Sequence, residues 1–165
     1  MQILVVSDTH GDSNQFEKLI KFHNDIKTVI HLGDGEKDVV KIKEKFPDKD
    51  IYSVCGNCDL EERSPEIIEI NIENQKILAT HGHLFKVKSS LEKLINEAEQ
   101  KGANIVLYGH THKPKTDFKN GIYIMNPGSL HRSMKCHGIF DVKKISTYGI
   151  LNIEKNNISM KIFDM

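Results

Sequence analysis

The sequence carries no excess charge of either sign. Lys and Arg total 23, Asp and Glu total 23, and the formal net charge is zero. Without a basic excess, composition gives no footprint for nucleic acid or an anionic membrane surface, and there is no acidic tail. No apolar run approaches the roughly 18 residues of a membrane span. Met1-Gln2-Ile3-Leu4-Val5-Val6 is too short for the apolar part of a secretion signal and lacks a basic start. Cysteine is scarce and odd in number, three in all, which excludes a disulfide framework and suits a reducing cytoplasm. Tryptophan, low-complexity runs, long linkers and internal repeats are missing. Neither G-x-G-x-x-G nor a P-loop lysine motif occurs, so glycine-loop nucleotide binding is excluded. At 165 residues the whole chain, 1–165, is expected to form one domain, large enough to bury roughly 70% of its unfolded surface.

Histidine is what the sequence has in quantity, nine residues. Many of them fall at the ends of apolar runs. Ile105-Val106-Leu107-Tyr108 stops at Gly109 and is followed by His110-Thr111-His112. In extended backbone, residues i and i+2 point the same way, roughly 6.6 Å apart. Two imidazoles so placed can serve a metal, or can simply cap a buried strand. Ile3 to Val6 reads as a strand buried on both faces, ending in Ser7-Asp8-Thr9-His10-Gly11. Asp12 or Ser13 then starts a helix whose inward face holds Phe16, Leu19 and Ile20. Thr28 to Leu32 forms the next strand and ends in Gly33-Asp34-Gly35, with His31 as a core histidine. A helix with Val39, Val40, Ile42 and Phe46 inward follows, and Pro47 ends it.

Ile51 to Val54 leads into Cys55-Gly56-Asn57-Cys58-Asp59. The C-x-x-C can be half a zinc knuckle or a redox pair. Cys136 is single and distant, and residues 59–65 read as loop rather than a helix start, so neither reading gains support. Residues 67–72 alternate like a half-exposed strand, Asn74-Gln75 turns, and 76–80 returns to His81-Gly82-His83. Ser89-Ser90-Leu91-Glu92 predicts a capping box for a helix with Leu91, Leu94, Ile95 and Ala98 inward and Gly102 as its stop. Ile122 to Met125 is a further strand, ending in Asn126-Pro127-Gly128-Ser129. Residues 130–145 read as a mobile loop with Arg132 as a candidate phosphate contact, and a hairpin around 155–157 closes the chain.

Polar clusters thus fall at the carboxyl ends of five apolar strands: Asp8/His10, Asp34, Asn57/Asp59, His81/His83 and His110/His112. That edge is where sites form in α/β sheets. Any one cluster can be a cap, but five on one edge are hard to explain by capping alone. Carboxylate, imidazole and amide donors suit Mn, Fe, Zn, Ni or Co better than calcium. Two divalent ions with Asp8, Asp34 and a bridging hydroxide would sum to about +1, a charge that a phosphodiester neutralises. Such a pair, about 3.5–4 Å apart, generates hydroxide and clamps attacking and leaving oxygens.

Asp8-Thr9-His10, Gly33-Asp34, Gly56-Asn57, His81 and Gly109-His110-Thr111-His112 together resemble the motifs of the calcineurin-like metallophosphoesterases. Cys58-Asp59, His81-Gly82-His83 and Asn126-Pro127-Gly128-Ser129 make the chain most similar to the small bacterial and archaeal YfcE-type phosphodiesterases. The resemblance implies a four-layer α/β/β/α sandwich. It implies a first metal held by Asp8, His10, Asp34 and His112. The second is held by Asp34, Asn57, His81 and His110, so Asp34 bridges. Asn57, Asp59 and His81 are the candidate catalytic residues, with His83 beside them. Two divalent ions, manganese first, a small phosphodiester substrate and a cytoplasmic setting follow from the same likeness, and a homo-oligomer is left open. The broader superfamily often has histidine after Gly-Asn. Cys58 stands there, which takes away the usual imidazole proton donor. The retromer subunit of the same fold supplies the alternative, a metal-binding protein-interaction scaffold with little catalysis.

Overall fold

The chain alternates strands and helices in the order the apolar runs predict, with one strand the runs do not announce. The structure, a computed structural model, describes residues 1–60, 64–131, 145–155 and 157–165. In chain order the first half is β1 (Gln2–Val6), α1 (Ser13–Phe22), β2 (Thr28–His31), α2 (Glu36–Lys45), β3 (Asp50–Ser53), β4 (Ile67–Ile72) and β5 (Gln75–Thr80). Then come α3 (Glu92–Lys101), β6 (Ile105–Tyr108), β7 (Lys115–Lys119), β8 (Ile122–Asn126), β9 (Thr147–Glu154) and β10 (Asn157–Asp164). Of the loop expected at 130–145, residues 132–144 lie outside the described residues, Arg132 among them.

The strands make two five-stranded sheets, β10-β9-β1-β2-β3 and β4-β5-β6-β8-β7. In the first, β1, β2 and β3 run parallel, with Val6 opposite His31 and His31 opposite Ser53. In the second, β5, β6 and β8 run parallel, with Thr80 opposite Tyr108. Parallel neighbours bring their carboxyl ends to a common edge, and each sheet therefore offers one such edge.

Alternation along the strands sorts the core into three packed interfaces. Ile3, Val5, Ile30 and Leu32 of the first sheet meet Ile77, Ala79, Ile105, Leu107 and Met125 of the second. Leu4, Val6 and Val29 face the other way, onto Phe16, Leu19 and Ile20 of α1 and Val39 and Ile42 of α2. Leu78, Val106 and Ile124 face Leu94, Ile95 and Ala98 of α3. Helices, sheet, sheet and helix stack as the expected α/β/β/α sandwich. Because strands such as β1 bury both faces, they read as continuous apolar runs rather than alternating ones.

Asp12 caps α1 as expected, accepting from Gln15 N at 3.1 Å. Gly102 ends α3 in the left-handed conformation, φ 64°. The capping box at Ser89 does not form. The chain turns through 84–89, the helix begins at Glu92, and it is Ser90 Oγ that accepts from Glu92 N at 3.1 Å. Strand β7 was not announced because Lys-Thr-Asp-Phe-Lys has a single apolar side chain and lies exposed on the sheet edge. Leu107 is fully buried between the sheets. Leu107→Ala is expected to cost about 2–5 kcal/mol, from lost burial plus the cavity left behind. Urea unfolding checks it.

Candidate metal centre

The expected side-by-side geometry of the i, i+2 pairs does not hold, because the pairs are not extended. Asp8 (φ 56°), His10 (45°), Asp34 (56°), His110 (67°) and His112 (55°) all adopt left-handed backbone. Each strand stops short of the candidate ligands that follow it, at Val6, His31 and Tyr108. The chain then coils tightly. Positive φ is unfavourable for residues other than glycine and costs about 1–3 kcal/mol each, so surrounding contacts must hold it in place.

Those contacts are specific. Asp8 N donates to Gly33 O at 3.0 Å and His10 N to Asp34 O at 2.9 Å, which locks the first two loops together. Glycine is needed where the loops touch. A Cβ on Gly56 would sit 2.1 Å from Asp34 Oδ1, and one on Gly109 would sit 2.0 Å from Ser7 Oγ.

All seven candidate ligands converge at the seam between the sheets. His112 Nε2 lies 2.9 Å from Asp8 Oδ1 and 3.3 Å from His10 Nε2. His81 Nε2 lies 3.2 Å from Asn57 Oδ1 and 3.1 Å from His110 Nδ1. Asp34 stands between the two sets: its Oδ2 is 3.9 Å from His10 Nε2 and 3.4 Å from His81 Nε2. Donor atoms of Asp8, His10 and His112 lie within 4.8 Å of one another, as do those of Asp8, Asp34 and His81.

The donor set fits a cation. Ser7 Oγ at 2.5 Å and His110 N at 3.1 Å both donate to Asp8 Oδ2. Asp8 Oδ1 is buried and no described donor is aligned on it, although it points among the imidazoles. An orphaned carboxylate oxygen facing ring nitrogens that crowd one another is what a positive ion would satisfy.

Charge at the centre is unevenly shared. Burial opposes ionisation of Asp34, but hydrogen bonding and charge from His81, with the Cys58 N–H, hold its carboxyl well below the usual range. Asp8 is also lowered: burial works against it, and contact with His112 and the charge on His81 outweigh that. Burial lowers His81 too, yet Asp34 and Asp8 more than reverse it. Burial and the neighbouring His81 push His110 down to about 4. Burial and the Asp34 charge push Cys58 up to about 11, so it stays a neutral thiol near pH 7.

Asp59, a candidate catalytic residue, has both its oxygens occupied by backbone. Oδ2 accepts from Asp34 N and Gly56 N, each at 2.8 Å, and Oδ1 accepts from Gly35 N and Glu36 N, each at 2.9 Å. It caps α2 from outside the helix and pins the Asp34 loop. His83 lies beside the centre, its ring 5.5 Å from His81 and 6.2 Å from His110. Sequence reasoning missed the supports supplied by the 126–131 segment. Asn126 Nδ2 donates to Gly109 O at 2.8 Å, Ser129 Oγ to Asp8 O at 2.9 Å, and the His131 ring stands 6.0 Å from His10. The Asn-Pro-Gly-Ser turn was the available signal.

His31 is the core histidine expected. Its Nδ1 accepts from Gly33 N at 3.2 Å and its Nε2 lies 3.2 Å from Thr9 Oγ1, which the Nε2–H tautomer satisfies. Burial lowers its pKa to about 4.

A sandwich of this kind, with carboxylates and imidazoles gathered on its parallel-strand edges, offers a donor set suited to divalent metal ions. The family model for the calcineurin-like phosphoesterase superfamily domain matches residues 1–156, and the chain belongs to that superfamily. It is 31% identical to a phosphodiesterase of Methanocaldococcus jannaschii, over 94% of this chain and 95% of that protein. It is 30% identical to the vacuolar protein sorting-associated protein 29 of Schizosaccharomyces pombe, over 88% and 80%. The crystal structure of a predicted phosphoesterase from Streptococcus pneumoniae superposes with a TM-score of 0.82 at 29% identity, covering 99% of this chain and 88% of that one.

Two outcomes follow from these contacts. Asp59→Ala leaves four N–H groups without their acceptor and is expected to destabilise by at least about 2 kcal/mol, with Asp59→Asn falling between it and the parent. Thermal unfolding checks the order. For His31, the folded pKa of about 4 lies below the unfolded value near 6.5. Its contribution is therefore intact above pH 6.5 and is lost as pH falls from 6.5 to 4, by roughly 3 kcal/mol in total. Its ring resonances should remain those of a neutral imidazole down to about pH 5 while exposed imidazoles titrate.

Proposed function

We propose that this protein is a metal-dependent phosphodiesterase with a centre for two divalent ions. Asp8, His10, Asp34 and His112 hold one; Asp34, Asn57, His81 and His110 hold the other; manganese is the first choice. The observation that carries the reading is the position of Asp34 Oδ2 between the two donor sets, with the orphaned Asp8 Oδ1 beside it. When bound, such ions supply positive charge to phosphoryl oxygens and lower the pKa of water toward neutrality.

The chain's own groups do the rest. His10 is exposed, so the centre opens to a substrate there, whereas Asp8 and His81 are fully buried and hold their orientation. Asp59 fixes the backbone on both sides of Asp34 and acts as a positioning residue. Asn126 and Ser129 hold the loops of His110 and Asp8 in register. Cys58, protonated far above neutral pH, is a weak donor toward a departing alkoxide. A diester with a good leaving group is therefore the favoured substrate, since aryl oxides depart without a proton. The relative named for vacuolar protein sorting supports a scaffold as second reading; the seven assembled donors weigh against loss of catalysis.

The test is metal dependence with stoichiometry. Chelation is expected to abolish turnover of bis(4-nitrophenyl) phosphate, and Mn²⁺ to restore it. Bound metal should fall toward none in Asp34→Asn and toward one ion per chain in His112→Ala. Full turnover by the stripped protein would refute the reading, and two ions retained in Asp34→Asn would refute the bridge.

A further inference from the structure

Cys58 lies at the seam but belongs to neither donor set. One donor atom each of His10, Asp34 and Cys58 lies within 4.8 Å of the other two. In that trio His10 Nε2 and Asp34 Oδ2 are 3.9 Å apart. Two donors on one tetrahedral ion stand roughly 3.3–3.7 Å apart, so about an ångström of adjustment lets the trio close on a cation. His10 and Cys58 are both exposed, so an ion from solvent meets them first.

The surroundings of the sulfur suit a ligand. Asn57 Nδ2 donates to Cys58 Sγ at 3.3 Å, the kind of support that a ligating thiolate takes up. The Cys58 N–H donates to Asp34 Oδ1 at 2.8 Å, which ties the residue to that carboxylate and leaves Oδ2 toward the imidazoles. Asp34, Asp59 and Asp8 put negative charge around the thiol, a field that draws cations. Independently of the sulfur, the buried Asp8 Oδ1 has no donor and stands 3.7 Å from the same His10 Nε2. That oxygen calls for positive charge beside His10.

We propose that Cys58 is an eighth donor of this centre, a thiolate ligand of the ion held by Asp8, His10, Asp34 and His112 whenever that ion is thiophilic, such as zinc, cobalt or cadmium. Manganese, a hard ion, leaves the sulfur as a thiol. Ligation breaks the S–H bond, forms a sulfur–metal bond and passes the proton to the buffer. One side chain thereby lets the site tell thiophilic divalent ions from hard ones. The proposal rests on the two-ion reading of the site and adds a ligand to it.

The experiment loads the full chain with Co²⁺ under reducing, anaerobic conditions and records its absorption. Cobalt among nitrogen and oxygen donors shows visible d–d bands, and a thiolate ligand adds an intense charge-transfer band in the near ultraviolet. The parent protein is expected to show both. Cys58→Ser and Cys58→Ala should keep the d–d bands and lose the charge-transfer band, whereas Cys55→Ser should keep both. In competition, the preference for Zn²⁺ over Mn²⁺ should fall about tenfold in Cys58→Ser. X-ray absorption of the Zn²⁺-loaded parent, which needs no variant, should place sulfur about 2.3 Å from zinc. Visible bands without a charge-transfer band in the parent overturn the proposal, as does a charge-transfer band that survives both Cys58 variants. A chain that takes up no cobalt would count against the two-ion reading instead, and zinc X-ray absorption would still decide the sulfur.

Discussion

Two carboxylates kept from water set the terms for this fold. Asp8 is wholly buried and Asp34 is 4% exposed, and both are held ionised by imidazoles that arrive from the opposite sheet. Charge in such a setting is tolerated only when compensated and hydrogen-bonded. The compensation here cannot be local, because His81 and His112 lie dozens of residues from the acids they face. The sandwich must therefore be assembled before the acids are at ease. The chain is folded by its apolar strands and carries its polar centre as a load.

That load is distributed over the loops by backbone contacts. The loops after β1 and β2 bond to each other, Asp59 gathers N–H groups from 34, 35, 36 and 56, and Asn126 and Ser129 reach across to 109 and 8. Five left-handed residues in a site of seven would be hard to sustain without this lattice. With it, the coil of the chain brings His10 Nε2 to 3.7 Å from Asp8 Oδ1, whereas successive side chains of an extended segment alternate between faces.

Much of this was legible in the sequence, and the reason is burial. Runs such as Ile3 to Val6 and Ile105 to Tyr108 have two packed faces, so composition alone marks them, and the polar residues that follow mark the edge. The polar residues gathered at that edge were legible for the same reason. Their geometry was not, since positive φ at Asp8 or His110 leaves no trace in residue type. The contacts of Asp59 were not legible, because its partners are backbone groups brought near only by the tertiary fold. Strand β7 was missed because an exposed edge strand needs no apolar pattern.

The candidate donors are divided between the two sheets: Asp8, His10, Asp34 and Asn57 follow strands of one, His81, His110 and His112 follow strands of the other. Side chains such as Val5, Leu32, Ala79 and Leu107, interdigitated between the sheets, help to fix how far one sheet has slid along its neighbour. A slip of one residue is about 3.3 Å, as long as the gaps separating the donors. The hydrophobic layer thus acts as the alignment gauge of an instrument. Its tolerance is a fraction of a methylene, and repacking it is a way to detune chemistry from a distance without touching a single polar atom.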